Sequence, residues 1–265
     1  MKKEVELIKK VNLLLKRINA PEYLHKFGPK TYKLSEVVYT LFLRTEWKCS
    51  FRRTVKLCTQ IGIKCPSKST LHYTLKRIPW NFIKNMLNVS IRRSVNLAAM
   101  DGTTLSQSNP SWHYINRTGI DMRQRKPVKL SVLVDTKTKK ILSARFRKKI
   151  VHDIKDAKYL IKNSSQKPNT LVADKSYDAE WFHKFLHERG IKVCIPVRKG
   201  INHGFYRKRS KCHKKTYGRR EMSESCFSKL KKLFGNSLNS VSAHMQRAEI
   251  FFRMICYNLE VLRMS

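Results

Sequence analysis

Asp101 and Asp174 sit in the settings of this sequence that most favour chemistry. Each closes a short apolar run, VNLAAMD over 95–101 and NTLVAD over 169–174. Each is followed by residues that favour a turn, Gly102-Thr103-Thr104 after the first and Lys175-Ser176-Tyr177-Asp178 after the second. Two carboxylates meeting at one sheet edge repel unless a cation lies between them, and hard oxygen donors with room for water select Mg2+ or Mn2+. A third acid would complete such a site, and Glu221 and Glu224 are the candidates. At about 100° per residue, Tyr217, Arg220, Glu224 and Lys231 fall within about 60° of one helical face. That face would carry a carboxylate for metal between cationic groups for phosphate, and Glu221 falls near it as well.

The chain around these acids is strongly basic. Its 265 residues hold 57 Lys and Arg against 18 Asp and Glu, a formal charge of +39. Both the first 90 residues and the remainder carry the excess, so the charge is no detachable tail. A polyanion is the partner such a field attracts, and an acidic small-molecule site would not need it. With 41% hydrophobic residues the chain can bury a core, which excludes general disorder. The charged start, Met-Lys-Lys-Glu-Val-Glu, lacks a signal peptide's apolar segment, and no apolar run approaches the ~18 residues of a membrane span. Seven cysteines without repeated short spacing read as reduced thiols, so a cytoplasmic, nucleoid-associated protein is expected. Cys194, His203, Cys212 and His213 lack the spacing of a zinc module, and His183 with His187 reads as a surface pair on a helix.

The elements that must position the acids follow from periodicity. Residues 4–90 show helical spacing broken at Pro21, Gly28-Pro29, Pro66 and Pro79, which predicts an all-helical region over 1–90. Within it, 50–62 and 67–78 form two short helices around a tight connection, with Ser67 or Ser69 as cap of the second. They suit a helix-turn-helix at 50–78 that offers Ser69, Thr70, His72, Tyr73 and Lys76 to a DNA groove. After residue 90 come three strands (95–101, 127–135, 140–147), a helix (154–163), a strand (169–174), a helix (179–189), a strand (191–197) and further helix. That order predicts an α/β catalytic domain over 91–265 with a ribonuclease H-like, mixed five-stranded sheet flanked by helices. Residues 198–220 hold ten Lys or Arg and no acid, with Phe205, Tyr206 and Tyr217 among them. This insertion reads equally as a solvated loop or as a DNA contact made by Arg207, Lys208, Arg209, Lys211, Lys214 and Lys215 beside stacking aromatics.

YGRREMSESCFSKLK from Tyr217 fits Tyr, two residues, Arg, three residues, Glu, six residues, Lys. It resembles the helix signature of the DDE transposases of bacterial and archaeal insertion sequences. AAMDGTTL at 98–105 and LVADKSYD at 171–178 resemble the two Asp motifs of that family, with Ser176 where Gly is frequent, and His152-Asp153 resembles its His-Asp pair. The resemblance implies Asp101, Asp174 and Glu224 as catalytic acids holding two Mg2+ or Mn2+ ions. It implies Tyr217, Arg220 and Lys231 as DNA contacts near the cut end. It further implies metal-dependent cleavage and strand transfer at the terminal inverted repeats of the chain's own element, joining to target DNA, and a homodimer in the synaptic complex. A non-catalytic DNA-binding regulator or decayed remnant, and a ribonuclease H-like nuclease without strand transfer, are the alternatives.

Overall fold

The computed structural model describes residues 2–24, 27, 30–91, 94–108, 116–117, 119, 126–198, 200, 203–210 and 212–261. It divides into two compact units, residues 1–90 with 242–265 and residues 91–241.

The first unit is helical: α1 (Lys2–Arg17), α2 (Leu34–Glu46), α3 (Phe51–Gln60), α4 (Lys68–Arg77) and α5 (Trp80–Val89). In α1, Leu7, Val11, Leu14 and Leu15 recur at the spacing of one helical stripe and are buried. Ser50 caps α3 by accepting from the Arg53 amide, and Ser67, rather than Ser69, caps α4 by accepting from the Thr70 amide. Gly62, at φ +69°, turns the chain between α3 and α4. Their buried positions, Thr54 and Cys58 on α3 and Leu71 and Leu75 on α4, leave Ser69, His72, Tyr73, Lys76 and Arg77 exposed.

The second unit holds the sheet. Strands β1 (Val95–Gln107), β2 (Val128–Asp135), β3 (Ile141–Arg147), β4 (Pro168–Ala173) and β5 (Lys192–Cys194) lie in the order β3-β2-β1-β4-β5. The β1–β2 and β2–β3 pairs are antiparallel, whereas β1–β4 and β4–β5 are parallel. A two-residue strand, β6 (Ser237–Leu238), adds to the far half of β1 and makes six strands. Helices α6 (Ile154–Lys162) and α7 (Glu180–His187) bury one sheet face in a cluster that includes Met100, Leu133, Leu160, Ala173 and Phe182. Helix α8 (Phe205–Arg209) packs against α7, and the opposite sheet face carries α9 (Lys214–Gly218) and α10 (Glu221–Phe234), with Ala99, Val172 and Cys194 buried beneath Cys212 and Tyr217. Among the described residues no helix is long and apolar enough to cross a membrane.

Two sequence expectations change here. The closing helix, α11 (Ala243–Val261), groups with the first compact unit, although the expected catalytic domain over 91–265 includes it. Every residue from Ala248 to Asn258 is buried, which marks a helix enclosed on all sides. Its walls come from the N-terminal helices, with Phe252 against Phe42 (ring centroids 4.9 Å apart) and Phe251 against Trp80 (4.4 Å). Second, β1 runs on to Gln107, so Asp101 lies inside a strand rather than at its end. Replacing Phe252 with Ala should lower unfolding stability by about 3–5 kcal/mol, measured by urea titration, because it opens a cavity at the centre of the first unit.

Candidate active site

Register brings the two aspartates together. In the parallel β1–β4 pair Met100 lies beside Ala173, and the next residues along the two chains are Asp101 and Asp174. Asp174 keeps an extended backbone (φ −69°, ψ 161°) before a 3-10 turn at Lys175–Tyr177 takes its chain away. The acids thus stand on neighbouring chains, about 4.8 Å apart in a regular sheet. Side chains alternate between the faces, so Asp101 and Asp174 share the face of Ala99 and Val172, beneath α9 and α10.

Those helices supply the neighbours. The Tyr217 hydroxyl donates to Asp174 Oδ1 at 3.4 Å. The Ser223 hydroxyl lies 3.5 Å from Asp101 Oδ2, while Oδ1 accepts from the Gly102 amide at 2.8 Å. Lys231 donates to the Thr103 hydroxyl at 2.9 Å. The expected single helical face is interrupted, because Tyr217 ends up in α9 and Arg220 caps α10, with tight turns through Gly218 and Arg219 between them. Tyr217 and Lys231 still reach the same sheet face, at β4 and β1. Glu224 is half-exposed and bonded to Arg220 at 2.6 Å, whereas Glu221 is exposed.

Burial, first of all, raises the Asp101 carboxyl above the ordinary range; the Gly102 amide and the Arg220 charge pull it down, and the charges of Asp153 and Glu224 push it up. Two partly buried carboxylates on adjacent chains are the setting a divalent cation relieves, so Asp101 and Asp174 fit such an ion. Among the described residues no three His, Cys, Asp or Glu side chains are gathered closely enough to hold one, and Glu224 is turned to Arg220 instead. The expected three-acid set is therefore two adjacent acids and a third held by a cation.

Sequence reasoning missed the support on the other sheet face. Asp153 pairs with Lys129 at 2.5 Å, and Lys129, 4% exposed, also donates to the Val151 carbonyl. A side chain on Gly102 would meet Asp153 Oδ1 at 2.7 Å, so this glycine serves the close approach of a carboxylate and makes no turn. Asp156 beside it is buried and takes Arg147 at 2.6 Å, Arg145 at 3.3 Å and the Ser131 hydroxyl at 2.9 Å. Tyr177, fully buried, has its hydroxyl raised well above the usual range, first by burial and then by Asp153, Asp101, Asp156 and Asp174. The one sequence signal for this layer was the His152-Asp153 pair.

The basic insertion is anchored. Arg207, expected among the DNA contacts, pairs with buried Asp178 at 2.8 Å, and Arg198 bonds the Lys175 and Ser176 carbonyls. Glu180 accepts from the Tyr206 and Arg207 amides. His183 is no surface residue; buried, it meets Ser210 through Nδ1 at 2.8 Å and lies 3.2 Å from Asp178 through Nε2, while His187 reaches Ser210 at 3.2 Å. Burial depresses the His183 pKa and favours the neutral ring. Nor are all cysteines reduced, because Cys194 and Cys212 form a disulfide with Cα atoms 4.3 Å apart. Their 18-residue separation gave no sign of it, since only the return of the chain over β5 brings them together. Lys208, Arg209, Lys214 and Lys215 are exposed; Lys211 lies outside the described residues.

Two substitutions test these supports, with a third as a control. Burial raises the Asp178 carboxyl, but the Arg198 amide and Arg207 guanidinium lower it further, to a net value below the ordinary range. Its contribution is present above the unfolded value near pH ~4 and is lost as pH falls through the depressed folded value. Asp178→Asn should therefore remove about 3 kcal/mol at pH 7, read by denaturant titration, and the difference from wild type should shrink in acid. Gly102→Ala should displace Asp153 and destabilise by about 1–3 kcal/mol, whereas Ser223→Ala should leave stability nearly unchanged.

Residues 96–259 match the family described as transposase DDE domain. Among solved structures, a piggyBac transposase synaptic complex with hairpin DNA aligns with 97% of this chain and 72% of that one, at 11% identity and a TM-score of 0.52. The strand transfer complex of Mos1 aligns with 93% and 81%, at 12% identity and a TM-score of 0.34. The first likeness is one of fold and agrees with the ribonuclease H-like sheet described above.

Proposed function

We propose, from the premise that this chain belongs to the transposase DDE-domain family, that Asp101, Asp174 and Glu224 are the acids with which it cuts and joins DNA. Members of that family are DNA-cleaving, strand-transferring enzymes of DNA transposition that use divalent metal, and this chain is one of them. The observation that carries the residue assignment is electrostatic. Among the described residues of the second unit, Asp153, Asp156 and Asp178 are paired with Lys or Arg, whereas Asp101 and Asp174, side by side, have no cationic partner. In a chain with 57 Lys and Arg this supports the adjacent pair as the place for an external cation.

Asp101 and Asp174, joined by Glu224, would hold two Mg2+ or Mn2+ ions, which supply activation of the attacking hydroxyl and stabilisation of the leaving oxygen. Tyr217 donates to one oxygen of Asp174, which would leave the other free to hold an ion. Arg220 neutralises Glu224 in the free protein; a DNA phosphate competes for the guanidinium and frees the acid for the site. Lys231 fixes Thr103 two residues beyond Asp101 and adds positive charge beside the scissile phosphate. Lys208, Arg209, Lys214 and Lys215 would follow the backbone of the terminal inverted repeat, with α4 offering a second contact through Ser69, His72, Tyr73 and Lys76. An element has two ends, so two copies of the chain supply the two sites needed to cut both, on nucleoid DNA in the cytoplasm.

Cleavage of a labelled duplex bearing the element's own termini, with Mg2+ or Mn2+ against EDTA, tests this reading. Asp101→Asn, Asp174→Asn and Glu224→Gln should each reduce nicking to background while duplex binding in EDTA persists. Nicking retained by any one variant would remove that residue from the site, and binding without cutting by wild type would favour a regulator. Replacing Lys208, Arg209, Lys214 and Lys215 together with Gln should lower the slope of log affinity against log salt by about 0.9 for each phosphate that is no longer neutralised. An unchanged slope would make these side chains solvated bystanders.

A further inference from the structure

The cross-strand row beneath the two aspartates ends in a covalent tie. Ala99 lies beside Val172 and Val172 beside Cys194, so one row of β1, β4 and β5 runs along the face two residues below Asp101 and Asp174. Cys194 is bonded to Cys212, and Cys212 and Tyr217 both pack on this row. Cys212 stands two residues before α9, the five-residue helix that carries Tyr217, and α9 has no buried residue of its own. A helix so short is unstable alone and holds its place only through what fastens it. Its fastenings at the sheet are the disulfide and the Tyr217 ring, whose hydroxyl meets Asp174.

We infer that the Cys194–Cys212 disulfide is a positioning element of the active site, holding Tyr217 against Asp174, and that its reduction by a dithiol slows DNA cleavage reversibly. The inference rests on the assignment of Asp174 made above. The redox step is thiol–disulfide exchange. A dithiol's thiolate attacks the sulfur of Cys212, the more accessible partner, and expels Cys194 as a thiolate that takes a proton from water. The reagent's second thiol then closes its ring and releases Cys212 as a thiol. The dithiol loses two electrons and two protons, and the cystine gains both.

Thiol titration under denaturing, non-reducing conditions comes first. Of seven cysteines, five should react before dithiothreitol and seven after it. Seven from the start, in protein purified without reductant, would overturn the inference. On terminal duplexes, dithiothreitol should lower kcat about tenfold while KM stays within about twofold, as expected when a positioned group is displaced while the DNA stays bound. Reoxidation should restore the rate. The Cys194→Ser/Cys212→Ser double variant should cleave at the reduced rate and ignore the reagent. In Tyr217→Phe the hydroxyl is already gone, so reduction should have less than about a twofold effect, an outcome that separates positioning of Tyr217 from general loosening. Equal kcat for oxidised and reduced wild type would overturn the inference while leaving the three-acid assignment intact. If no form cleaves, that assignment fails instead, and limited trypsin digestion decides here: reduction should expose Arg209 to Lys215 to faster cutting, and equal digestion would overturn the inference.

Discussion

The parallel pairing of β1 with β4 is the constraint on which the rest of the catalytic unit depends. Its register sets Met100 beside Ala173, and the next step along both chains brings two carboxylates to adjacent positions on one face. Like charges at that separation repel and destabilise the ligand-free fold. The fold bears this because the surrounding rows are fully apolar: Ala98, Ala99 and Met100 on one strand, and Leu171, Val172 and Ala173 on the other, are all buried. A large contiguous core can carry one unfavourable pair, and the proposed metal site uses that pair.

The handling of the other acids makes the contrast. Buried Asp135 accepts from the Lys137 and Thr138 amides and the Thr138 hydroxyl, while Asp153 meets Lys129, Asp156 meets Arg147 and Arg145, and Asp178 meets Arg207. Breaking such a pair leaves an uncompensated buried charge, which is why these arginines and lysines face inward in a chain whose surplus cations otherwise cover the surface. Glu224 shares this protection through Arg220, but on an exposed helix where the pair is weak and can exchange partners. The protein thus separates acids that are neutralised for structure from acids that stay open to an external ion.

Much of this was legible in residue patterns. Alternating and apolar runs located the strands, Gly190 and Pro66 marked breaks between elements, and the spacing from Tyr217 to Lys231 pointed to a helix carrying Glu224. The patterns failed where the answer depended on what a residue packs against. Gly102 read as a turn because glycine usually punctuates, but it lies within a strand and admits Asp153. Arg207 read as a DNA contact because its neighbours are basic, yet Asp178, 29 residues away, turns it inward. Helix α11 read as part of the catalytic domain because it follows in the chain, and nothing in its pattern showed that Phe251 and Phe252 pack against Trp80 and Phe42 of the first unit.

The sequence by itself determined most element types outside the basic insertion, the order of the strands along the chain, the basic field and the few acids able to do metal chemistry. These follow from local periodicity and composition, which any segment carries with it. Tertiary structure alone decided which acids are neutralised, which cations remain outward, that Cys194 meets Cys212, and that residues 242–261 complete the first unit. Each of these is a pairing between distant segments. Electrostatic and packing partners are set by proximity in space, and proximity at long sequence separation is fixed only when the sheet register and helix packing close together.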